Sequence, residues 1–247
     1  IKAMNPLTCN TQTVKPCFDL PSLPDHLPKG FTWMDYGGPM ALQIKSVTSK
    51  AHHEKHFRSW KSLVPDIKAG NLANLTIAHI SGGPKSEHPP ESPCEGENWS
   101  VEVVKELMAL PQWNEMAVLV TWDDWGGFYD HVQPSVHQCK NGKIFENGFR
   151  LPLLVVSPYA KKGYVLKGHA EQASVPKLVE DLWGMTYMHA RNKHARDHVA
   201  GSLLPAFDFT QKPRAPISLT KRATCPDASG SPKALHFPAM VGGKCPD

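Results

Sequence analysis

The sequence predicts an α/β fold, and three observations carry that prediction. Short apolar runs recur at Leu75 to Ser81, Met116 to Trp122 and Leu151 to Ser157. Stretches with apolar residues at i, i+3, i+4 and i+7, the spacing of one helix face, stand between and after them. Strand, helix, strand, strand, helix is the order expected when helices cover the faces of a mostly parallel sheet.

The elements follow in chain order. Residues 1–30 hold five prolines and no sustained periodicity, which predicts irregular surface chain with a short helical piece near Leu20 to Leu27. The run Leu75 to Ser81 is closed by Gly82, Gly83 and Pro84, a strand and then a breaker. Ser100 is placed to cap a helix whose Val101, Val104 and Met108, with Val103, Leu107 and Leu110, continue to Pro111. Met116 to Trp122 is continuously apolar but for Thr121, as expected of a strand covered on both faces of a parallel sheet. In Leu151 to Ser157, Pro152 suits only a strand start or an edge. Val175, Leu178, Val179, Leu182 and Trp183 form a second helical face, with Ser174 to cap it and Gly184 to stop it. From Gln211 onward six prolines in 37 residues predict an extended tail. The chain thus reads as one α/β domain, residues 1–210, and a Pro-rich tail, residues 211–247, packed on it.

Composition narrows the classes. Of 247 residues, 40% are hydrophobic and 20% charged, which excludes disorder as the whole answer. The net charge of +4 is scattered and forms no basic stripe, so no nucleic-acid partner is expected. No apolar run approaches the ~18 residues of a transmembrane segment. The chain begins Ile-Lys-Ala-Met, with neither an initiator Met nor a signal segment, and is expected to be a processed product or the later part of a longer protein. Cys9, Cys17, Cys94, Cys139, Cys225 and Cys245 contain no C-x-x-C motif. They read either as extracytoplasmic disulfides or as buried thiols; Cys9 with Cys17 and Cys225 with Cys245 would close short loops, and spacing cannot choose among the pairings.

In open α/β sheets, ligands collect beyond the carboxyl ends of the strands. The strand ending at Trp122 delivers Asp123, Asp124, Trp125, Gly126 and Gly127 there. Adjacent carboxylates repel, and a divalent cation turns that repulsion into coordination; the Gly pair gives the backbone freedom to aim both at one ion. The alternative is that Asp124 caps a turn and Asp123 pairs with a lysine. A second constellation, Ser86-Glu87-His88-Pro89-Pro90, holds an imidazole on backbone stiffened by proline, suited to ligate a metal or donate to a phosphoryl oxygen. Asp130 and His131 could orient such groups from behind. His53 with His56 and His194 with His198 read as surface residues.

The segment Thr121 to Val132, reading Thr-Trp-Asp-Asp-Trp-Gly-Gly-Phe-Tyr-Asp-His-Val, together with residues 86–90, resembles the phosphoesterase family that holds the bacterial non-haemolytic phospholipases C and an acid phosphatase. The resemblance extends through Leu151 to Ala160, Gly163 to Val165, the Ser174 helix and Phe207 to Phe209, and back to Cys17 to Asp25 and Phe31 to Tyr36. It implies an alkaline-phosphatase-like α/β/α sandwich with a mostly parallel central sheet, incomplete at its amino-terminal side. It also implies a metal-dependent, phospholipase C-like phosphodiesterase, secreted or periplasmic, acting on phosphate esters such as a phospholipid headgroup. Asp123 and Asp124 fall on the family's metal-binding pair and His88 on a histidine beside the phosphate, with Glu87, Asp130, His131 and Lys167 as supporting or substrate-binding groups. Lys167 stands where relatives carry a histidine. The family's Glu-Asn pair and its nucleophile lie in a segment that nothing in residues 1–16 matches, so the nucleophile is expected upstream of Ile1. The other reading is a non-catalytic fragment or descendant with a binding or structural role.

Overall fold

The computed structural model describes residues 2–4, 9–14, 18–38, 44–48, 55–80, 82–193 and 195–226. In chain order the elements are strands β1 (Lys2–Met4), β2 (Thr11–Thr13) and β3 (Trp33–Tyr36), then helix α1 (Lys45–Thr48) and strand β4 (Phe57–Arg58). Helix α2 (Leu63–Lys68), strand β5 (Leu75–Ala78), helix α3 (Pro93–Met108) and strand β6 (Val118–Thr121) follow. The chain continues through β7 (Val136–Gln138), β8 (Ile144–Glu146) and β9 (Leu153–Val156) to helix α4 (Ser174–Trp183).

The fold is mixed α/β. Its parallel sheet has the order β4-β3-β5, with Asp35 opposite Phe57 and Trp33 opposite Leu75. β6 pairs antiparallel with β9, Thr121 opposite Leu153, and β1-β2 and β7-β8 form two further antiparallel ribbons. This corrects the expectation that Met116 to Trp122 is a strand of a parallel sheet: its described partner, β9, runs antiparallel to it. Apolar continuity reports burial on two faces, and it carries no information about the direction of the hydrogen-bonded partner.

Helix α3 connects the two sheets through its packing. Consecutive helical residues point about 100° apart. Val103 accordingly joins Tyr36, Leu63 and Ile67 beside the parallel sheet, while Val104 and Met108 join Trp113, Met116, Val118 and Val156 beside the β6-β9 pair. On the other face of that pair, Leu119, Leu153 and Val155 pack on Leu178 of α4 and on Leu203, Ala206 and Phe207. Alternation along β6 therefore sends Val118 to α3 and Leu119 to α4, and the pair lies between two helices. Truncating Leu178, which is 2% exposed, should cost about 2–5 kcal/mol.

Helix α3 begins at Pro93 with Ser92 in the capping position, earlier than the expected Ser100, because proline's fixed φ suits a first helical turn. In α4 the cap position is Ala173, and Ser174 instead accepts through Oγ from Glu171 N at 3.1 Å. Gly184 ends the helix in the left-handed region, φ 62°, as its position predicts. Near the amino terminus the helical piece is a 3-10 turn, Leu23–His26.

Among the described residues the disulfides are Cys9–Cys139 and Cys94–Cys225. Both are long-range, so the short-loop pairings are corrected; Cys17 and Cys245 lie outside the described residues. The Cys94–Cys225 bond, with Lys221 to Glu102 and Arg222 to Glu97, fastens residues 221–225 along α3. His56 is a packing residue rather than a surface one, stacked on Trp33 with its Nδ1 2.9 Å from the Trp33 carbonyl oxygen. His198 is exposed, as expected, with its ring stacked on His189, centroids 3.5 Å apart; His53 and His194 lie outside the described residues.

Two buried polar clusters were invisible in the sequence. Tyr36 Oη donates to Asp66 Oδ2 at 2.7 Å and Arg58 Nη1 donates to both Asp66 oxygens, which joins β3, β4 and α2. Burial, then the Asp66 bond, pushes the Tyr36 phenol well above its usual range. Behind α4, Glu180 accepts from Met188 N at 2.9 Å and Asp197 from His189 N at 3.2 Å. Burial foremost, with Asp197 beside it, pushes the Glu180 carboxyl up to about 7.

Candidate functional site

The acidic pair sits on a turn immediately past β6. Thr121 Oγ1 donates to the Pro152 carbonyl at 2.9 Å and so ties the exit of β6 to the entrance of β9. Asp124 Oδ1 then accepts from Gly126 N at 2.6 Å, and Asp123 Oδ1 from Asp124 N at 3.2 Å. The turn needs φ of 60° at Gly126 and 82° at Gly127, values that side chains disfavour. Asp124 thus caps a turn, half of the alternative set against a metal role. The other half is absent: among the described residues no Lys or Arg pairs with either carboxylate. Both are solvent-exposed, and Oδ2 of each makes no described hydrogen bond.

A second loop comes to meet this turn. Glu87 adopts φ 59°, a left-handed conformation costing an L residue about 1 kcal/mol or more. Its carboxylate accepts from the Trp122 indole Nε1 at 2.8 Å. Burial raises the Glu87 carboxyl above its ordinary range, and the indole bond pulls it partly back. On α3, Gly96 lies so close that a Cβ there would collide with the Glu87 side chain. Two residues on, Pro89 Cδ stands 3.6 Å from where a Cβ on Gly126 would be. The residue before His88 is thus bonded to the residue before the acidic pair, and the residue after His88 lies near the Gly126 turn. His88 Nδ1 lies 2.8 Å from the Pro89 carbonyl, which makes that nitrogen the proton donor and leaves Nε2 for a ligand.

A third contact was not found in the sequence. Gln172 Nε2 donates to the carbonyls of Trp122, at 2.7 Å, and Asp123, at 3.3 Å. Neighbouring Glu171 is held by Arg196 through two bonds of 2.9 Å. The backbone under the acidic pair is thereby gripped from the α4 side, as the Trp122 side chain is from the α3 side. A lone glutamine before a predicted helix gives no signal of this.

The profile of the phosphoesterase family matches residues 3–186. The chain belongs to the phosphoesterase family. It is 31% identical over 201 residues to non-specific phospholipase C1 of Arabidopsis thaliana, covering 71% of this chain and 37% of that protein. It is 28% identical over 245 residues to the non-hemolytic phospholipase C of Pseudomonas aeruginosa, with 76% and 35% covered. Against phospholipase C A of Mycobacterium tuberculosis the identity is 28% over 173 residues, with 61% and 32% covered. The chain spans less than half the length of each.

In this family member the remaining expected residues have other partners or none described. Asp130 turns to Arg150, which donates to both its oxygens at 2.7 and 2.9 Å and holds the carboxyl down at about 2. His131 Nδ1 is 3.5 Å from Asp130, and neither residue has a described bond to the acidic turn. Lys167 is exposed and makes no described hydrogen bond or ion pair. Glu87 is brought to the Trp122 side chain beside the acidic pair, and no described bond joins His88, Asp130, His131 or Lys167 to Asp123 or Asp124. Among the described residues, no group of three or more His, Cys, Asp or Glu stands close enough to hold a metal ion. Two carboxylates suit a hard cation but supply only part of its usual six or more oxygen ligands, so these residues alone do not make a metal site.

Proposed function

We propose that this chain carries the acidic-pair and histidine portion of a phosphoester-hydrolysing site of phospholipase C type. The observation that carries the reading is the meeting of residues 86–90 with residues 122–127 through the Glu87–Trp122 bond. His88, with Nδ1 committed to a carbonyl, can present Nε2 to a phosphoryl or leaving-group oxygen and, when protonated, donate to it. Glu87 and Gln172 hold the two loops at fixed separation, which is what in-line phosphoryl transfer requires of a site. Asp123 and Asp124 contribute carboxylate oxygens to a divalent cation, whose chemistry when bound is to shield phosphoryl charge. The other ligands and the nucleophile come from chain outside residues 1–247. The parent fold is an alkaline-phosphatase-like α/β/α sandwich, supported by the β6-β9 pair lying between α3 and α4. Two disulfides support an oxidising compartment, outside the cell or in the periplasm.

The incomplete set of metal donors favours a second reading, a non-catalytic member that binds phosphate esters. One experiment separates them. Residues 1–247 are assayed with p-nitrophenyl phosphorylcholine and divalent cations, alone and together with the amino-terminal portion of the full protein. The first reading expects turnover near background alone and Asp123-dependent turnover in the complete protein. If the complete protein is inactive, the binding reading stands; vigorous hydrolysis by the isolated chain, lost in Asp123→Ala, would place the nucleophile within residues 1–247.

A further inference from the structure

We propose that Glu180 and Asp197 form a proton-held latch that regulates the candidate site: while they share one proton, the segment after α4 stays docked, and through Arg196 and Glu171 it keeps Gln172 on the backbone beneath Asp123. The inference rests on the phosphoester-hydrolysing reading of that site. Both carboxylates are buried, and each has one oxygen committed and one orphaned. Glu180 accepts through Oε1 from Met188 N and Asp197 through Oδ2 from His189 N, so the pair converges on two consecutive amides of the segment. Glu180 Oε2 and Asp197 Oδ1 are buried without a hydrogen-bond partner. A proton on one carboxyl turns it into a donor for the other and removes the cost of both orphans.

The groups facing the pair do not balance a second negative charge. On α4, Lys177 and Asp181 offset one another. From the following segment, Tyr187 Oη donates to Asp181 Oδ1 at 2.7 Å under Lys177 Nζ, and His189 and His198 stack on each other. With one proton shared the pair carries a single charge; without it, two like charges meet where water does not reach. Burial foremost, with Asp197 beside it, pushes the Glu180 carboxyl up to about 7. The latch is therefore closed below that value and opens above it.

A continuous set of contacts carries the docked state to the acidic turn. Arg196, next to Asp197, donates to both oxygens of Glu171 at 2.9 Å. Glu171 N donates to Ser174 Oγ at 3.1 Å and Ser174 N to the Glu171 carbonyl at 2.8 Å, which shapes a bend at the start of α4. From this bend Gln172 reaches the carbonyls of Trp122 and Asp123. The same two stretches meet again at Gly201, which lies so close to His169 that a Cβ would collide with its carbonyl. Residues 167–170, which lead into the bend, are exposed, so release of the segment removes the side-chain support of Gln172. The segment, docked or released, is the element with two arrangements that both the proton and the acidic turn bias. Arg196 is accordingly a positioning residue.

Hydrogen exchange of the complete protein and its hydrolysis of p-nitrophenyl phosphorylcholine, each at pH 6 and pH 8.5, test the proposal. Protection factors in peptides covering residues 121–127 and 168–174 should fall about fivefold or more between those values, with residues 101–108 of α3 unchanged. In Glu180→Gln, whose amide donates to Asp197 at either pH, they should stay constant, and the ratio of wild-type to variant turnover should fall by a similar factor. Arg196→Ala, at a half-exposed side chain, should show the lower protection at both pH values, and adding Glu180→Gln to it should restore nothing. Arg196→Lys, a point charge in place of a planar fork, should fall between. The wild-type and Arg196→Ala comparison decides the matter even where Glu180→Gln folds poorly. Equal wild-type protection at both values, a fall that persists in Glu180→Gln, or a fall shared by α3 overturns the latch, as does a flat turnover ratio in an active protein. The two readings fail separately: absence of turnover in every form strikes the phosphoester reading and leaves exchange to decide the latch, whereas turnover with pH-independent exchange strikes the latch alone.

Discussion

Glu180 and Asp197 oppose one another behind α4, and their titration should be visible in the stability of the fold. Glu180 has no solvent exposure and Asp197 has 1%, and one oxygen of each, Oε2 and Oδ1, is buried without a hydrogen-bond partner. Asp181 and Lys177 face the pair from α4, and Tyr187, His189 and His198 from the segment that follows, where Lys177 Nζ lies 4.0 Å over the Tyr187 ring. A single proton between Oε2 and Oδ1 satisfies both atoms, and burial moves the Glu180 carboxyl from 4.5 to about 7. The folded protein therefore holds a proton that the unfolded chain releases. This contribution to stability is complete below about pH 4.5 and is lost as pH rises through about 7. The full shift corresponds to about 3 kcal/mol, and screening by nearby water reduces the expected change to about 1–3 kcal/mol. Glu180→Gln keeps the bond from Met188 N through its carbonyl and donates to Asp197 at any pH. Urea denaturation without reductant should show the variant and the wild type alike near pH 5, and the variant more stable by about 1–3 kcal/mol near pH 8. A difference that stays flat between those values, or a variant that is weaker at the higher pH, refutes the shared proton.

Three further outcomes follow from the packing. Gly96→Ala should destabilise by about 1 kcal/mol, although helix propensity alone favours alanine by a similar amount, because the new methyl displaces Glu87 from Trp122; introduced into Glu87→Ala it should stabilise instead. Gln172→Ala should leave thermal stability within about 0.5–1.5 kcal/mol of wild type but lower Asp123-dependent hydrolysis by the complete protein, and unchanged turnover would remove Gln172 from the site. Reducing the two disulfides, whose sequence separations are 130 and 131, should cost about 2–5 kcal/mol for each bond, read as a fall in thermal midpoint with dithiothreitol; an unchanged midpoint would mean the unfolded chain is not restrained by them.

The parts of the fold legible in the sequence were those with a local cause. β5, β6 and β9 announce themselves as apolar runs, and Gly184 stops α4 because only a residue free to take positive φ ends a helix that way. β3, β4, β7 and β8 carry no such signature, because Asp35, Arg58, His137 and Glu146 interrupt them before an apolar run forms. Pairing direction was misjudged for β6 because a strand covered by α3 and α4 is apolar whichever way its neighbour runs. The site divides along the same line. Asp123, Asp124 and His88 stand out by residue type and by the Gly and Pro around them. Glu87, Gln172 and Gly96 matter through contacts across 35 and 50 residues of chain or through a close approach to a helix, and nothing adjacent in sequence records those.

The two disulfides are interleaved rather than nested: Cys94 lies between Cys9 and Cys139, and Cys139 lies between Cys94 and Cys225. Any single peptide bond broken between Cys9 and Cys225 is therefore spanned by at least one of them. A protease nicking the exposed β7-β8 ribbon would leave one covalent molecule: the histidine loop and acidic turn share the amino-terminal piece, and Cys94–Cys225 keeps the carboxyl-terminal piece, with Gln172, attached to it. In an oxidising, protease-rich medium this topology uncouples survival of the molecule from continuity of its backbone, and only a reductant would release the pieces.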